Sequence, residues 1–543
     1  MPKILIKEID KTSAGTPGAY TNHSVLICGF STRTNEDIIK AVRKDPNVGY
    51  TLPDENGVFE FYSQDAFKDT IGKVAPVFTG DDIDDHVPAH YGNQMAYELL
   101  GQGFQVIYLS LGTVPSKAKE IIEKLKLISD AGTWEIFKDK ASYDFRFVTH
   151  GLLTAHDTHE VTKAKEVYDA AATTVTTKET TYNTAKAAND TLKAAEGYDA
   201  TTSEAKAAQV AEDKANKELV EANKKLADAL AAYDYANDDC FSSSDFADAN
   251  AAIKGLAVYE QDEEYEAKAG TGRGDCVALV EINEAAYVNE DTRRPEAKIL
   301  EAAKEVSSVF ASPYCACTVP SVVYKMVADE AFGGNKKFPG AFHYLACYKR
   351  MIDTNFAEWY AAAGYNRGVS NYTIDYTTVK LGEVAIQALE PRYKRNTPPV
   401  YEMPFAVNVI ANFRGSYYLW GNRTCHGLGD FAGGGDLTAH HFLNIRQLCT
   451  TIKKQLYVSC RRFTFDPNSD TLWINFKNSI LPTLERMKAD QGVRDFKIEK
   501  VYTDKKATLK AKIRIVPIEA VEDFVLELSL EDSLGDTSVT ITE

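Results

Sequence analysis

Residues 158–235 constrain the fold more than any other stretch. They are rich in Ala, Lys, Thr and Glu, with a single Gly and no Pro. Heptad spacing places Val161, Ala164, Tyr168, Ala171, Val175, Lys178, Tyr182, Ala185, Asn189 and Leu192 on one seam. A second seam holds Ala205, Ala208, Glu212, Ala215, Leu219, Ala222, Leu226, Ala229 and Tyr233. The break falls at Glu196-Gly197-Tyr198-Asp199. The pattern predicts an antiparallel helical hairpin, packed closely because its seam is mostly Ala. At about 1.5 Å per residue each arm would project roughly 50 Å. The Thr-rich run 173–181 has poor helix propensity, and a flexible low-complexity insert is the competing expectation.

A chain of 543 residues and 60.0 kDa is too long for one core and implies three or four domains. Its formal charge of -17 and pI near 5.2 argue against general nucleic-acid binding, because phosphate contacts need Lys and Arg. The start Met-Pro-Lys-Ile-Leu-Ile lacks the apolar run of a secretory signal, and no run of about 18 apolar residues suits a membrane span. The nine cysteines are scattered and odd in number, as expected of buried free thiols made in a reducing cytoplasm.

The expected class is multidomain α/β (α+β). Residues 1–20 read as an N-terminal arm, 21–139 as an N-terminal α/β domain, and 140–155 with 275–380 as a middle α/β domain. That middle domain is interrupted by the helical hairpin domain, 156–274. Residues 381–516 read as a C-terminal domain and 517–543 as a C-terminal arm. Buried strands are expected at 24–30, 104–111, 145–149 and 276–282, with a further apolar segment at 314–320. Helices are expected near 36–44, 93–100, 116–128, 295–309 and 472–488, the last kinked by Pro482 unless it begins there. Closing strands are expected near 496–502, 511–516 and 524–530.

Several blocks occur in a telling order. Pro17-Gly18-Ala19-Tyr20 stands near the start. Phe338-Pro339-Gly340-Ala341 precedes Trp359-Tyr360-Ala361-Ala362-Ala363-Gly364 and Arg367-Gly368. Then come Asn408-Val409-Ile410, Gly415, Trp420-Gly421-Asn422-Arg423-Thr424, Asn444-Ile445-Arg446-Gln447-Leu448 and Phe465-Asp466-Pro467-Asn468. Gln491-Gly492-Val493-Arg494-Asp495-Phe496 and Ile515-Val516-Pro517 close the series. In order and spacing they resemble the contractile phage tail sheath family, which includes the sheaths of phage-like injection devices. The turn at Pro339 and the segment at Ala361 depart from the family pattern, and the helical hairpin is not a general family feature.

The resemblance implies a tail-sheath-like fold and a structural subunit, not an enzyme, with no cofactor. It implies self-assembly as stacked hexameric rings around an inner tail tube, with baseplate and tail terminator proteins as further partners. It places the C-terminal domain toward the tube and variable inserts outside. It also implies terminal β-strand arms exchanged between subunits, and a virion tail assembled in the host cytoplasm. The candidate arm strands are Ile4, Leu5, Ile6 and Ile9 at one end and Phe524, Leu526, Leu528 and Leu530 at the other. Such short alternating strands need a sheet to join. From Lys477 to Arg514 there are eleven basic and five acidic residues; from Ile515 onward there are eight acidic and none basic. A basic segment followed by an acidic arm suits docking of one copy on the next. Candidate tube- or neighbour-facing residues are Lys477, Arg486, Lys488, Lys505, Lys506, Lys510, Lys512 and Arg514, with a solvated face as the ordinary alternative.

Other constellations carry less. Cys425, His426, Asp436, His440 and His441 match no zinc spacing. Asp81, Asp82, Asp84 and Asp85 lack the Gly and Glu of an EF-hand. Gly270-Thr271-Gly272-Arg273-Gly274 lacks a phosphate-loop Lys, and Arg273-Gly274-Asp275 reads as a chance tripeptide entering a strand. Cys315 and Cys317 read as core, and His156 with His159 as a surface pair. The rival readings are a soluble α/β enzyme carrying a coiled-coil oligomerisation insert, and a host-binding surface protein.

Overall fold

The computed structural model describes residues 23–72, 77–78, 89–113, 120–125, 133–153, 158–238, 243–260, 272–282, 298–299, 302, 311–320, 322–326, 335–369, 376–377, 380–389, 392–394, 400–402, 407–426, 438–502 and 508–520. The candidate arm residues Ile4, Leu5, Ile6, Ile9, Phe524, Leu526, Leu528 and Leu530 lie outside these, as do Lys505, Lys506 and Asp81 to Asp85.

The centre is an eight-stranded sheet. In chain order its strands are Ser24–Ser31 (β1), Val58–Phe61 (β2), Gln105–Thr113 (β3), Phe147–Thr149 (β4), Val277–Val280 (β5), Cys315–Val319 (β6), Asn408–Phe413 (β7) and Ser416–Trp420 (β8). They lie in the order β8-β7-β6-β5-β4-β1-β3-β2. All pairs from β3 across to β7 are parallel, and only the outermost β2 and β8 run antiparallel. Among the described residues the helices of eight residues or more are Asn35–Lys44 (α1), Gln64–Ile71 (α2), Gly92–Gly101 (α3), Thr158–Lys193 (α4), Ser203–Asp238 (α5), Ser243–Ala257 (α6), Gly340–Asp353 (α7), Leu443–Arg462 (α8) and Asp470–Ala489 (α9).

A parallel sheet covered on both faces needs strands that are apolar throughout, which is why 25–30 holds no polar side chain. Leu26, Cys28 and Phe30 turn to one face, where Ala249, Ile253 and Leu256 of α6 cover them. Val25 and Ile27 turn to the other, against Met95 and Leu99 of α3 and Phe342 and Leu345 of α7. Segments expected to be three separate domains (21–139, the middle pair, and 381–516) all contribute strands to this one sheet.

β4 and β5 are sheet neighbours, and α6 is the helix of the crossover between them. Helices α4 and α5 lie in the loop that precedes α6. Tyr168 stacks on Tyr233 with centroids 6.0 Å apart, Lys178 pairs with Glu218 at 2.7 Å, and Asn189 Nδ2 donates to Gln209 Oε1 at 2.9 Å. The start of α4 therefore faces the end of α5, an antiparallel pair. Val175, Asn189, Ala205, Ala215, Ala222 and Ala229 are its buried seam. The Thr-rich run is helical despite its propensity. Thr173, Thr177, Thr180 and Thr184 each donate a hydroxyl to the carbonyl four residues back, at 2.8–3.0 Å.

The last unit is α8, α9 and a two-stranded ribbon of Val493–Val501 (β9) and Lys510–Pro517 (β10). Helix α9 does not begin at Pro482. It begins at Asp470, where the Ser469 side chain accepts from Leu472 N, and runs through the proline. The buried stripe Leu472, Phe476, Ile480, Leu484 and Met487 spans both sides of Pro482. That burial outweighs a lost backbone bond of roughly 3 kcal/mol.

Candidate assembly surface

Blocks far apart in sequence meet where the C-terminal unit is fastened to the sheet. Asn408, at the start of β7, donates from Nδ2 to Cys317 O at 3.0 Å and to Arg423 O at 2.9 Å, and its Oδ1 accepts from Arg423 N at 2.7 Å. This close approach requires Gly421, where an added Cβ would lie 2.8 Å from Asn408 Cα. Gly415, at φ +88°, turns the β7–β8 hairpin beside Arg414. Trp420 is half-buried and packs edge-on against Phe413 and Tyr365, at 4.9 and 5.2 Å. The buried Arg423 guanidinium lies 4.6 Å over the Phe442 ring, and Thr424 Oγ1 donates to His440 O at 2.6 Å. Asn422 and Asn444 exchange hydrogen bonds of 2.7 and 3.0 Å, and Asn444 also donates to Trp359 O. Trp359 Nε1 in turn donates to Asp490 O at 3.1 Å. These residues thus serve as ties between elements.

A buried charge cluster reinforces the same junction. Arg146 donates to Gln447 Oε1 at 3.0 Å and to Thr451 Oγ1 at 2.9 Å on α8. Arg273 pairs with both Asp275 oxygens, at 2.9 and 3.2 Å, and Lys454 of α8 pairs with Asp144 and, at 3.5 Å, with Asp275. Burial pushes the Asp275 carboxyl up, but Lys454 and Arg273 outweigh it and hold it at about 2. Arg273-Gly274-Asp275 is therefore no idle tripeptide. Its partners lie at 137–144 and 453–454, too distant for any local pattern to reveal.

The ribbon alternates cleanly. Phe496, Ile498, Ile513 and Ile515 pack toward Leu484 and Met487, while Lys497 opposes Arg514 and Glu499 opposes Lys512 on the exposed side. Among the described residues neither outer edge of the ribbon pairs with another strand. Several candidate basic residues already have acidic partners: Arg486 with Asp490 at 3.3 Å, Lys488 with Asp495 at 3.0 Å, and Arg514 with Glu499 at 3.3 Å. Lys477 and Lys512 are exposed and Lys510 is half-buried. The structure thus spreads these residues over α9 and both sides of the ribbon hairpin and does not gather them into one patch.

Doubly wound sheets bind ligands where strand order reverses, at the carboxyl ends of the strands. Here that place, between β1 and β4, is filled by the chain itself. His90 Nε2 lies 2.7 Å from His150 O, and His150 Nε2 lies 2.9 Å from Asn250 Oδ1. Asn250 Nδ2 donates to Glu281 O, and Ala341 N donates to Glu281 Oε1, at 2.7 and 2.8 Å. Burial holds His90 near 3 and His150 near 4, so both rings are neutral, and raises the Glu281 carboxyl well above its usual range. A Cβ on Gly151 would come within 2.8 Å of Gly92 Cα, so the two backbones close the gap.

The His426 and His441 rings lie 4.6 Å apart at a tilt of 53°, and Arg446 donates toward His440 Nδ1 at 3.1 Å. Among the described residues no group of three or more His, Cys, Asp or Glu could hold a metal ion, and no helix is long and apolar enough to cross a membrane. Six of the eight described cysteines are buried; Cys449 is half-buried and Cys460 exposed, so the expectation of uniformly buried thiols does not extend to α8.

No family model and no curated protein matches this sequence. Solved structures of similar overall course include a chain of the anti-feeding prophage (AFP) baseplate, determined by cryo-EM with six-fold symmetrisation. It shares 11% identity at a TM-score of 0.47, over 98% of this chain and 99% of that one. A chain of an extracellular contractile injection system, the PVC sheath complex in its contracted state, gives the same identity and score over 98% of both chains.

Proposed function

We propose that this chain is the structural subunit of a contractile tail sheath, polymerising as stacked hexameric rings around an inner tube. The observation that carries the reading is the ribbon β9–β10, whose outer edges pair with no further strand among the described residues, in a chain that encodes a short alternating strand near each terminus. A two-stranded ribbon is marginal alone and is completed by strand addition. One neighbour's N-terminal strand and another's C-terminal strand would extend it to four strands. The acidic C-terminal segment would meet the basic ribbon, which sets register and speeds association. The sequence blocks at Trp359, Asn408, Trp420–Thr424 and Asn444 support the same reading, because they meet at the junction that fixes the ribbon to the sheet. The hairpin α4–α5 would project outward, and the crevice that an enzyme of this fold would use is occupied by its own side chains.

The test is electron microscopy of the full chain and of variants lacking 1–18 or 519–543. The full chain should form long striated tubes, and each truncated chain should stay folded without polymerising. Tubes of normal length from either truncated chain would sink arm exchange.

A further inference from the structure

Two aromatic rings stand in solvent at one end of the C-terminal unit. Phe465 is 100% exposed and Tyr502 93%. Phe465 lies in the turn between α8 and α9 with φ +75°, in the left-handed region that a bulky side chain seldom adopts. Two bonds fasten this turn to the loop end of the ribbon, where β9 gives way to β10. Asn468 Nδ2 donates to Thr508 O at 3.4 Å, and Lys500 pairs with Asp470 at 2.8 Å. Tyr502 directly follows β9, so both rings belong to one surface. Arg461 and Arg462, both exposed at the end of α8, lie just before the same turn.

Neither ring contributes to a core of its own subunit. Gly or Asn would make the Phe465 turn with less strain and no exposed apolar surface. A ring held there has a use when another surface covers it, as aromatic and Arg anchors do at the centres of interfaces. We propose that Phe465 and Tyr502 form an anchor that inserts into a second copy of this chain. The proposal rests on the sheath reading, and two features select a second copy as the partner. The anchor is continuous with the ribbon edges on which copies would pair. Exposed Arg461 and Arg462 stand just before its turn, in a chain whose total charge is -17. Each copy therefore offers acidic surface to its neighbour's anchor.

The test compares the full chain with Phe465→Asn and Tyr502→Ser by sedimentation velocity over a concentration series, with a thermal melt of each. Asn accepts positive φ, so the melting temperature of Phe465→Asn should hold or rise. The concentration needed for association should rise at least tenfold, and by less for Tyr502→Ser. A photo-reactive benzoylphenylalanine in place of Phe465 should give a chain-to-chain crosslink. Unchanged association of Phe465→Asn refutes the anchor and leaves the sheath reading standing. Discrete oligomers in place of tubes, weakened by Phe465→Asn, keep the anchor and remove the sheath reading. A wild-type chain that stays monomeric overturns both. A marked fall in the melting temperature of Phe465→Asn, or a crosslink only to another protein, overturns the anchor alone.

Discussion

Replacing Asp275 by Asn removes one charge and almost no volume. Arg273 and Lys454, whose side chains are 0% and 3% exposed, would then lose a shared counter-charge, Lys454 retaining only Asp144. Breaking a buried pair from one side costs roughly 3–5 kcal/mol, because a charge is left without compensation. Helix α8 carries Lys454, so the loss should appear as easier opening of that helix from the sheet. Amides near 447–454 should exchange hydrogen roughly 10²–10³ times faster or more, at about 1.4 kcal/mol per decade. The pH dependence has a definite sign. The carboxyl sits at about 2 when folded, below its unfolded value of about 3.9. Its contribution, of order 2 kcal/mol, is complete above about pH 4–5 and is lost as pH falls through 2. Asp275→Asn should lack that acid limb. An exchange increase under tenfold, or an unchanged acid limb, would refute a structural role for the cluster.

Gly421→Ala should lower stability by about 2–4 kcal/mol, read by urea unfolding, because its Cβ meets the Asn408 backbone at 2.8 Å. Glu281→Gln should be neutral or stabilising by about 1 kcal/mol at pH 7. The raised carboxyl favours the folded state fully below its unfolded value, near pH 4.3, and less as pH climbs toward the folded one, so the variant's advantage should grow in melts from pH 5 to 8. Ala222→Glu places a charge on the buried hairpin seam and should reduce helical circular dichroism, while the melting of the sheet stays put. Replacing 160–235 by a short turn should leave tube formation intact; loss of tubes would set the hairpin between subunits.

Legibility followed the range of the interaction. The strand at 24–30 could be read because both its faces are covered, leaving no polar side chain from Val25 to Phe30. The hairpin seam was legible because its partners repeat every heptad. Asn408 stood out only by resemblance; its task depends on Cys317 and Arg423, 91 and 15 residues away. Arg273 and Asp275 looked idle because Lys454 comes from a helix closed onto them late in the chain. The single sheet was hidden for the same reason: β6 and β7, read as parts of two domains, pair Thr318 with Asn408 far along the chain. Phe465 stood out only within a resembling block, since its positive φ and its exposure are invisible until the turn is built.

The placement of α4 and α5 has a practical side. They leave the sheet after β4 and return through α6 to β5, its immediate neighbour, so the chain departs and comes back close to one spot. Loops with that geometry accept foreign sequence with little penalty to the scaffold. The hairpin is thus a natural socket. A fluorescent protein or an affinity tag whose own ends lie close together could be spliced there, and every subunit of a polymer would then display one copy at a fixed spacing.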